Sequence, residues 1–156
     1  MLQDSVVNLN LSSTNLILTG STDGTVGIWN SNSGKNVGIL ACNPGNEGVE
    51  AVQVKEGNVY TGNLGGVVQM WDMSTQVSRW SVALGGGVTQ LRVAGSLVYC
   101  GTDEGVVRGV DTRTGELVCD LGGHKRAVLD MVMQGEAGVT TSDDGTARVW
   151  DLRVIS

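Results

Sequence analysis

The chain has 156 residues, 40% of them hydrophobic, with 24 glycines, one proline and no phenylalanine. That length supports one sizeable core, built here from Val, Leu, Ile and Met, and the glycine content without a three-residue period excludes a collagen-like chain and fits many tight turns. A net charge of −6, with Lys125-Arg126 as the densest basic spot, excludes a phosphate-neutralising stripe. No run approaches the ~18 apolar residues of a membrane span and no signal-peptide pattern opens the chain, so a cytoplasmic location is expected, with the nucleus as the alternative.

Short runs of alternating apolar residues, bounded by turn signals every ~8–12 residues, predict strands throughout. The first four are Ser5–Leu11, Leu16–Ser21, Val26–Asn30 and Asn36–Asn43, and residues 43–48 (Asn-Pro-Gly-Asn-Glu-Gly) are a loop by turn chemistry. Next come Val49–Lys55, Asn58–Asn63, Val67–Met73 and Gln76–Ala83, closed by Gly85-Gly86-Gly87. A third group runs Val88–Ala94, Leu97–Thr102, Val106–Thr112 and Glu116–Leu121. The last group, Val128–Gln134, Gly138–Ser142 and Thr146–Leu152, has three strands, because Val154-Ile155-Ser156 is too short for a fourth.

These groups are copies of one unit. Gly24, Gly66, Gly105 and Gly145 lie 42, 39 and 40 residues apart, and so do Trp29, Trp71, Val110 and Trp150. The cleanest copy spans Gly122 to Asp151: a Gly123-His124 turn, an alternating run, Thr140-Thr141-Ser142, a turn at Asp143-Asp144-Gly145, and Trp150-Asp151 at the close. A period of ~40–45 residues with four strands and a Trp-Asp ending is the pattern of a β-propeller blade. The expected fold is therefore all-β: one propeller segment over residues 1–156, with blades at about 4–43, 49–83, 88–121 and 124–156, each a four-stranded antiparallel sheet except the last.

On these residues the whole chain resembles the WD40-repeat family. The resemblance implies that a blade is locked by a hydrogen-bonded His, Ser or Thr, Asp and Trp. By position His124, Thr140, Asp144 and Trp150 match all four. The first blade keeps Thr19, Asp23 and Trp29 without the His; the second keeps Thr61 and Trp71, with Gly65 in place of the Asp; the third has Cys100, Glu104 and Val110. A buried imidazole needs both nitrogens satisfied, and an Asp and a hydroxyl do that while fixing its tautomer. The competing view of His124-Asp144 as a catalytic pair would make a mid-strand residue, Thr140, the nucleophile, and position alone explains every member of the set.

A closer resemblance, carried by LILTGS, Trp71-Asp72-Met73, GGVTQL, VDTRTGEL and GHKRAVLDMVM, is to the C-terminal half of the angio-associated migratory cell protein group. That group includes a yeast relative that chaperones a large-subunit ribosomal protein, so the resemblance implies an acidic face receiving a basic ribosomal-protein segment. WD40 rings mostly have seven blades, and three closures follow: missing blades supplied by a longer chain, a second copy completing an eight-bladed ring, or a compact four-bladed ring.

Without His124 no Ser-His-Asp or Cys-His set can be assembled, and the glycine pairs open no helix to cradle a phosphate. Cys42, Cys100 and Cys119 show no metal-binding spacing and fit buried free thiols in a reducing compartment; neither a metal nor a cofactor is expected. The leading function is a non-catalytic protein-binding scaffold, extended by the resemblance to a chaperone or assembly factor for a basic ribosomal protein. The candidates for partner contact are Asn46, Glu47, Asn63, Asp103, Glu104, Lys125, Arg126 and Asp143, on the turns and loops that gather at one face of a propeller. Trp150-Asp151-Leu152-Arg153 resembles the WDxR box that docks some WD proteins onto a ubiquitin-ligase adaptor, which adds Arg153; a local Asp151–Arg153 ion pair is the structural alternative. The rival class, a propeller enzyme with a site in the central channel, has no residues in the sequence to carry it.

Overall fold

The computed structural model describes residues 6–11, 15–42 and 47–155, with the backbone alone for 7–11 and 154–155. Four antiparallel sheets follow one another. The first orders β1 (Val6–Leu11), β2 (Leu16–Ser21), β3 (Thr25–Asn30) and β4 (Asn36–Ala41) from inner to outer edge. The second is β5 (Val49–Lys55), β6 (Asn58–Asn63), β7 (Val67–Asp72) and β8 (Val77–Ala83); the third is β9 (Val88–Ala94), β10 (Leu97–Thr102), β11 (Val106–Asp111) and β12 (Leu117–Gly122). Among the described residues the fourth has three strands: β13 (Val128–Gln134), β14 (Ala137–Ser142) and β15 (Ala147–Asp151).

Each sheet is an up-and-down meander, and the period read from the glycines is a structural period. Gly24, Gly66, Gly105 and Gly145 have φ of 79°, 79°, 83° and 81°, a region that costs glycine nothing. Each closes the turn by donating its N–H to the carbonyl three residues back, on Ser21, Asn63, Thr102 and Ser142. A register shift recurs where the first strand enters every sheet, between Val6 and Asn8, Val49 and Ala51, and Val128 and Asp130, and opposite Gly101 and Thr102. Such bulges bend the strand and increase its twist beside the loops.

The core lies between sheets rather than within them. Leu18, Val26, Ile28 and Leu40 of blade one pack on Val49, Val52, Val59 and Trp71 of blade two. Tyr60, Val68 and Leu84 pack on Val88, Leu91, Val98 and Val110, and Tyr99 and Val107 on Val128, Met131 and Leu152. The inner strands β1, β5, β9 and β13 pack in sequence, while β13 makes no comparable packing against β1, so the blades form an open arc. Strand boundaries move by a residue or two from the sequence reading: β4 ends at Ala41 because the Cys42 N–H turns to Gly24, and Ser5 and Asn43 lie outside the described residues. After β15 the chain enters a 3-10 turn, Leu152–Ile155, started by the Arg153 N–H on the Asp151 carboxylate.

Candidate functional site

Blade four carries a complete relay. The Trp150 indole donates to Thr140 Oγ1 at 2.9 Å, and Thr140 Oγ1 lies 2.8 Å from His124 Nε2. His124 Nδ1 faces Asp144 Oδ2 at 3.2 Å and Thr146 Oγ1 at 3.1 Å. The ionised carboxylate only accepts, so the proton sits on Nδ1, Nε2 is the acceptor, and the Thr140 hydroxyl donates to it. Asp144 also accepts from the Thr146 hydroxyl and N–H and from the Lys125 N–H, joining the turn before β15 to the loop before β13. These bonds, the Thr146 hydroxyl first and the Lys125 N–H next, hold the Asp144 carboxyl far below the usual carboxylate range. His124 and Thr140 are buried, so neither reaches a substrate.

The other blades keep parts of this lock. Trp29 donates to Thr19 at 2.9 Å and Trp71 to Thr61 at 3.3 Å, while Asp23 turns to the N–H and hydroxyl of Thr25. In blade three an ion cluster stands in for the relay. Arg108, paired in register with Cys100, lies 3.5 Å from both Glu104 and Asp120. Sequence reasoning missed Arg108, because an arginine in a strand reads as a solvent-facing residue. Cys42 and Cys100 are buried free thiols whose pKa values burial raises, that of Cys42 to about 12.

Within each of the last three blades the turn after the second strand is tied to the loop that enters the inner strand. Leu64, Asp103 and Asp143 donate their N–H groups to Gly48, Gly87 and Ala127. Between blades, Gly66 abuts Gly86 and Gly105 abuts the carbonyls of His124 and Arg126. Around the bare backbone of Gly65, Gly86 and Gly87 stand three carboxylates: a Cβ at Gly65 would strike that of Glu47, one at Gly86 that of Glu104, and one at Gly87 that of Asp103. Arg126 is paired with Asp143 at 2.6 Å, and the Lys125 backbone is fastened to Asp144.

Three placements differ from expectation or fall elsewhere. Asn63 is buried, and its side-chain oxygen accepts from the Val67 N–H, so it caps the turn and is not a rim residue. Asn46 lies outside the described residues. Arg153 is exposed, and its guanidinium rests on Asp151 at 2.8 and 2.6 Å. On the opposite face a depression of about 320 Å³ near Ser96, Tyr99 and Leu152 includes Asp111, whose carboxylate accepts from Arg113 and Thr114.

Repeated four-stranded sheets, inner strands in sequence and a Thr–Trp or His–Thr–Trp lock define a run of β-propeller blades. Two family models match the chain: one described as WD domain, G-beta repeat over residues 3–30, and one described as outer membrane protein assembly factor BamB over 22–151. With the lock residues in place, the blades are of the WD40 type and the chain is similar to the WD40-repeat family. It is 32% identical over 154 residues to angio-associated migratory cell protein of Homo sapiens, covering 86% of this chain and 36% of that protein. It is also 31% identical over 145 residues to the U3 small nucleolar RNA-associated protein 21 homolog of Schizosaccharomyces pombe, covering 88% of this chain and 16% of that one. The chain thus spans about a third or less of these relatives' lengths. Among solved structures, the computationally designed Ika4 protein superposes with a TM-score of 0.87 at 26% identity, over 96% of this chain and 92% of that one.

Proposed function

We propose that this propeller segment is a non-catalytic scaffold whose loop face binds a basic peptide segment of a protein partner, in the manner of an assembly factor for a basic ribosomal protein. The observation that carries the reading is the exposed carboxylate trio of Glu47, Asp103 and Glu104 around bare glycine backbone. Lysine and arginine side chains find opposite charge there, on carboxylates that pack over Gly65, Gly86 and Gly87 and keep their own surfaces exposed. The net charge of −6 favours the same encounter at long range. Among the described residues no helix is long and apolar enough to cross a membrane.

The test is a fluorescence titration of the protein with a short lysine- and arginine-rich peptide. Binding is expected to weaken as salt rises through the range where the Debye length falls from about 10 to 3 Å. A Glu47→Gln, Asp103→Asn, Glu104→Gln variant should lose about tenfold or more in affinity, at up to ~1 kcal/mol for each exposed pair. Absent binding, or binding indifferent to salt and to the triple substitution, would overturn the proposal.

A further inference from the structure

The three internal junctions repeat one fit. On each second strand the residue before the lock position is covered by the next blade: Leu18, Tyr60 and Tyr99 are 0%, 3% and 4% exposed. The residue after the lock position is glycine, and the next inner strand seats a valine there. A Cβ at Gly62 would collide with Val88, one at Gly101 would lie 2.8 Å from Val128 Cγ1, and one at Gly20 would lie 2.8 Å from the Val49 carbonyl oxygen and 3.2 Å from its Cγ1. Polar side chains also cross the later junctions. Gln53 Oε1 accepts from the Val93 N–H at 2.6 Å, Arg92 reaches Asp130 at 3.0 Å, and Thr89 Oγ1 donates to the Val128 carbonyl at 2.6 Å.

The outward face of blade four departs from this pattern at every one of these places. The register puts Thr141 where Gly20, Gly62 and Gly101 stand, Val132 where Gln53 and Arg92 stand, and Leu129 where Thr89 stands. Val132, Val139 and Val149 lie directly opposite one another across the three strands, and Val139 and Val149 are 42% and 78% exposed. An aliphatic face of this kind, in register with three buried equivalents, marks an interaction surface.

We infer that this face docks a β-sheet blade different in sequence from the chain's own first blade: an aliphatic inner strand with glycine, alanine or serine opposite Thr141. A second copy does not fit. Its first blade would present Val6, which pairs with Ser21 as Val49 pairs with Asn63 and Val128 with Ser142. Val6 on Thr141 sets one β-branched side chain against another where the internal junctions set valine against a bare Cα, an overpacked contact. Thr141 therefore discriminates against self-closure while the valine row supplies the apolar area for the right partner.

Native mass by light scattering on three proteins tests this: the unaltered chain, Thr141→Gly and Val6→Ala. Both side chains are exposed, so neither change empties a core, and circular dichroism checks that strand content is kept. The unaltered chain should run at its own mass of 16.2 kDa. Each variant should self-associate at least about tenfold more tightly and approach twice that mass, as relief of a 1–3 kcal/mol overpacking predicts. An unaltered chain already at twice its mass, or two folded variants with no gain in self-association, would overturn the inference. Neither result bears on peptide binding at the loop face.

Discussion

Replacing Thr140 by Val keeps the shape of the side chain and removes only its hydroxyl. That hydroxyl accepts from Trp150 Nε1 at 2.9 Å and donates to His124 Nε2 at 2.8 Å, so Thr140→Val leaves a donor and an acceptor unpaired at once. The His124 side chain is wholly inaccessible, and no water can replace its partner. An orphaned buried polar group costs about 1–3 kcal/mol, so the pair should cost about 2–5 kcal/mol, at the lower end because Trp150 is only half-buried. Blade one supplies the internal comparison. Thr19 serves one bond, from Trp29, in a half-buried setting, and Thr19→Val should cost only about 1 kcal/mol. Urea unfolding followed by tryptophan fluorescence reads both: a loss of about 3 kcal/mol moves the midpoint by roughly 1–3 M at ordinary m-values. Thr140→Ser keeps the hydroxyl and should stay well above the valine variant. Equal costs for Thr140→Val and Thr19→Val, or a serine variant as weak as the valine one, would refute the relay as the source of the stability.

Two further outcomes follow from the same geometry. The Asp144 carboxyl is held below its unfolded value, so its contribution is fully present above about pH 4 and is lost as pH falls toward the folded value. Asp144→Asn should therefore lower stability at neutral pH and flatten the acid limb of the stability–pH curve relative to the unaltered chain; a parallel acid limb would contradict the assignment. Thiol labelling near pH 8 should modify half-buried Cys119 first and leave Cys42 and Cys100 unreacted until the chain is unfolded in denaturant, as burial raises both of their pKa values. Labelling of all three native thiols at one rate would show that the inter-blade cores open readily.

Much of this protein is written at short range. The positive-φ glycines, the turn carboxylates and the tryptophan ten residues after each lock threonine all act within one blade, so their spacing exposes the unit and its lock. Asn63 shows the limit of that reading. In the string it is a polar residue beside a glycine turn, but in the fold it is a buried cap whose side-chain oxygen is taken by the Val67 N–H. Arg108 is similar: Glu104 is four residues away, but Asp120 reaches the arginine only when β11 and β12 pair. The clearest case is the series Gly20, Gly62, Gly101 and Thr141. The four letters lie in plain view in the sequence, yet nothing local says that the first three are seats for valines some 26 to 29 residues onward. Composition, period and lock are thus properties of the sequence by itself. Which blade faces are closed and which stay open were decided only by tertiary structure, because van der Waals exclusion acts between atoms that the chain brings together only after each blade has formed.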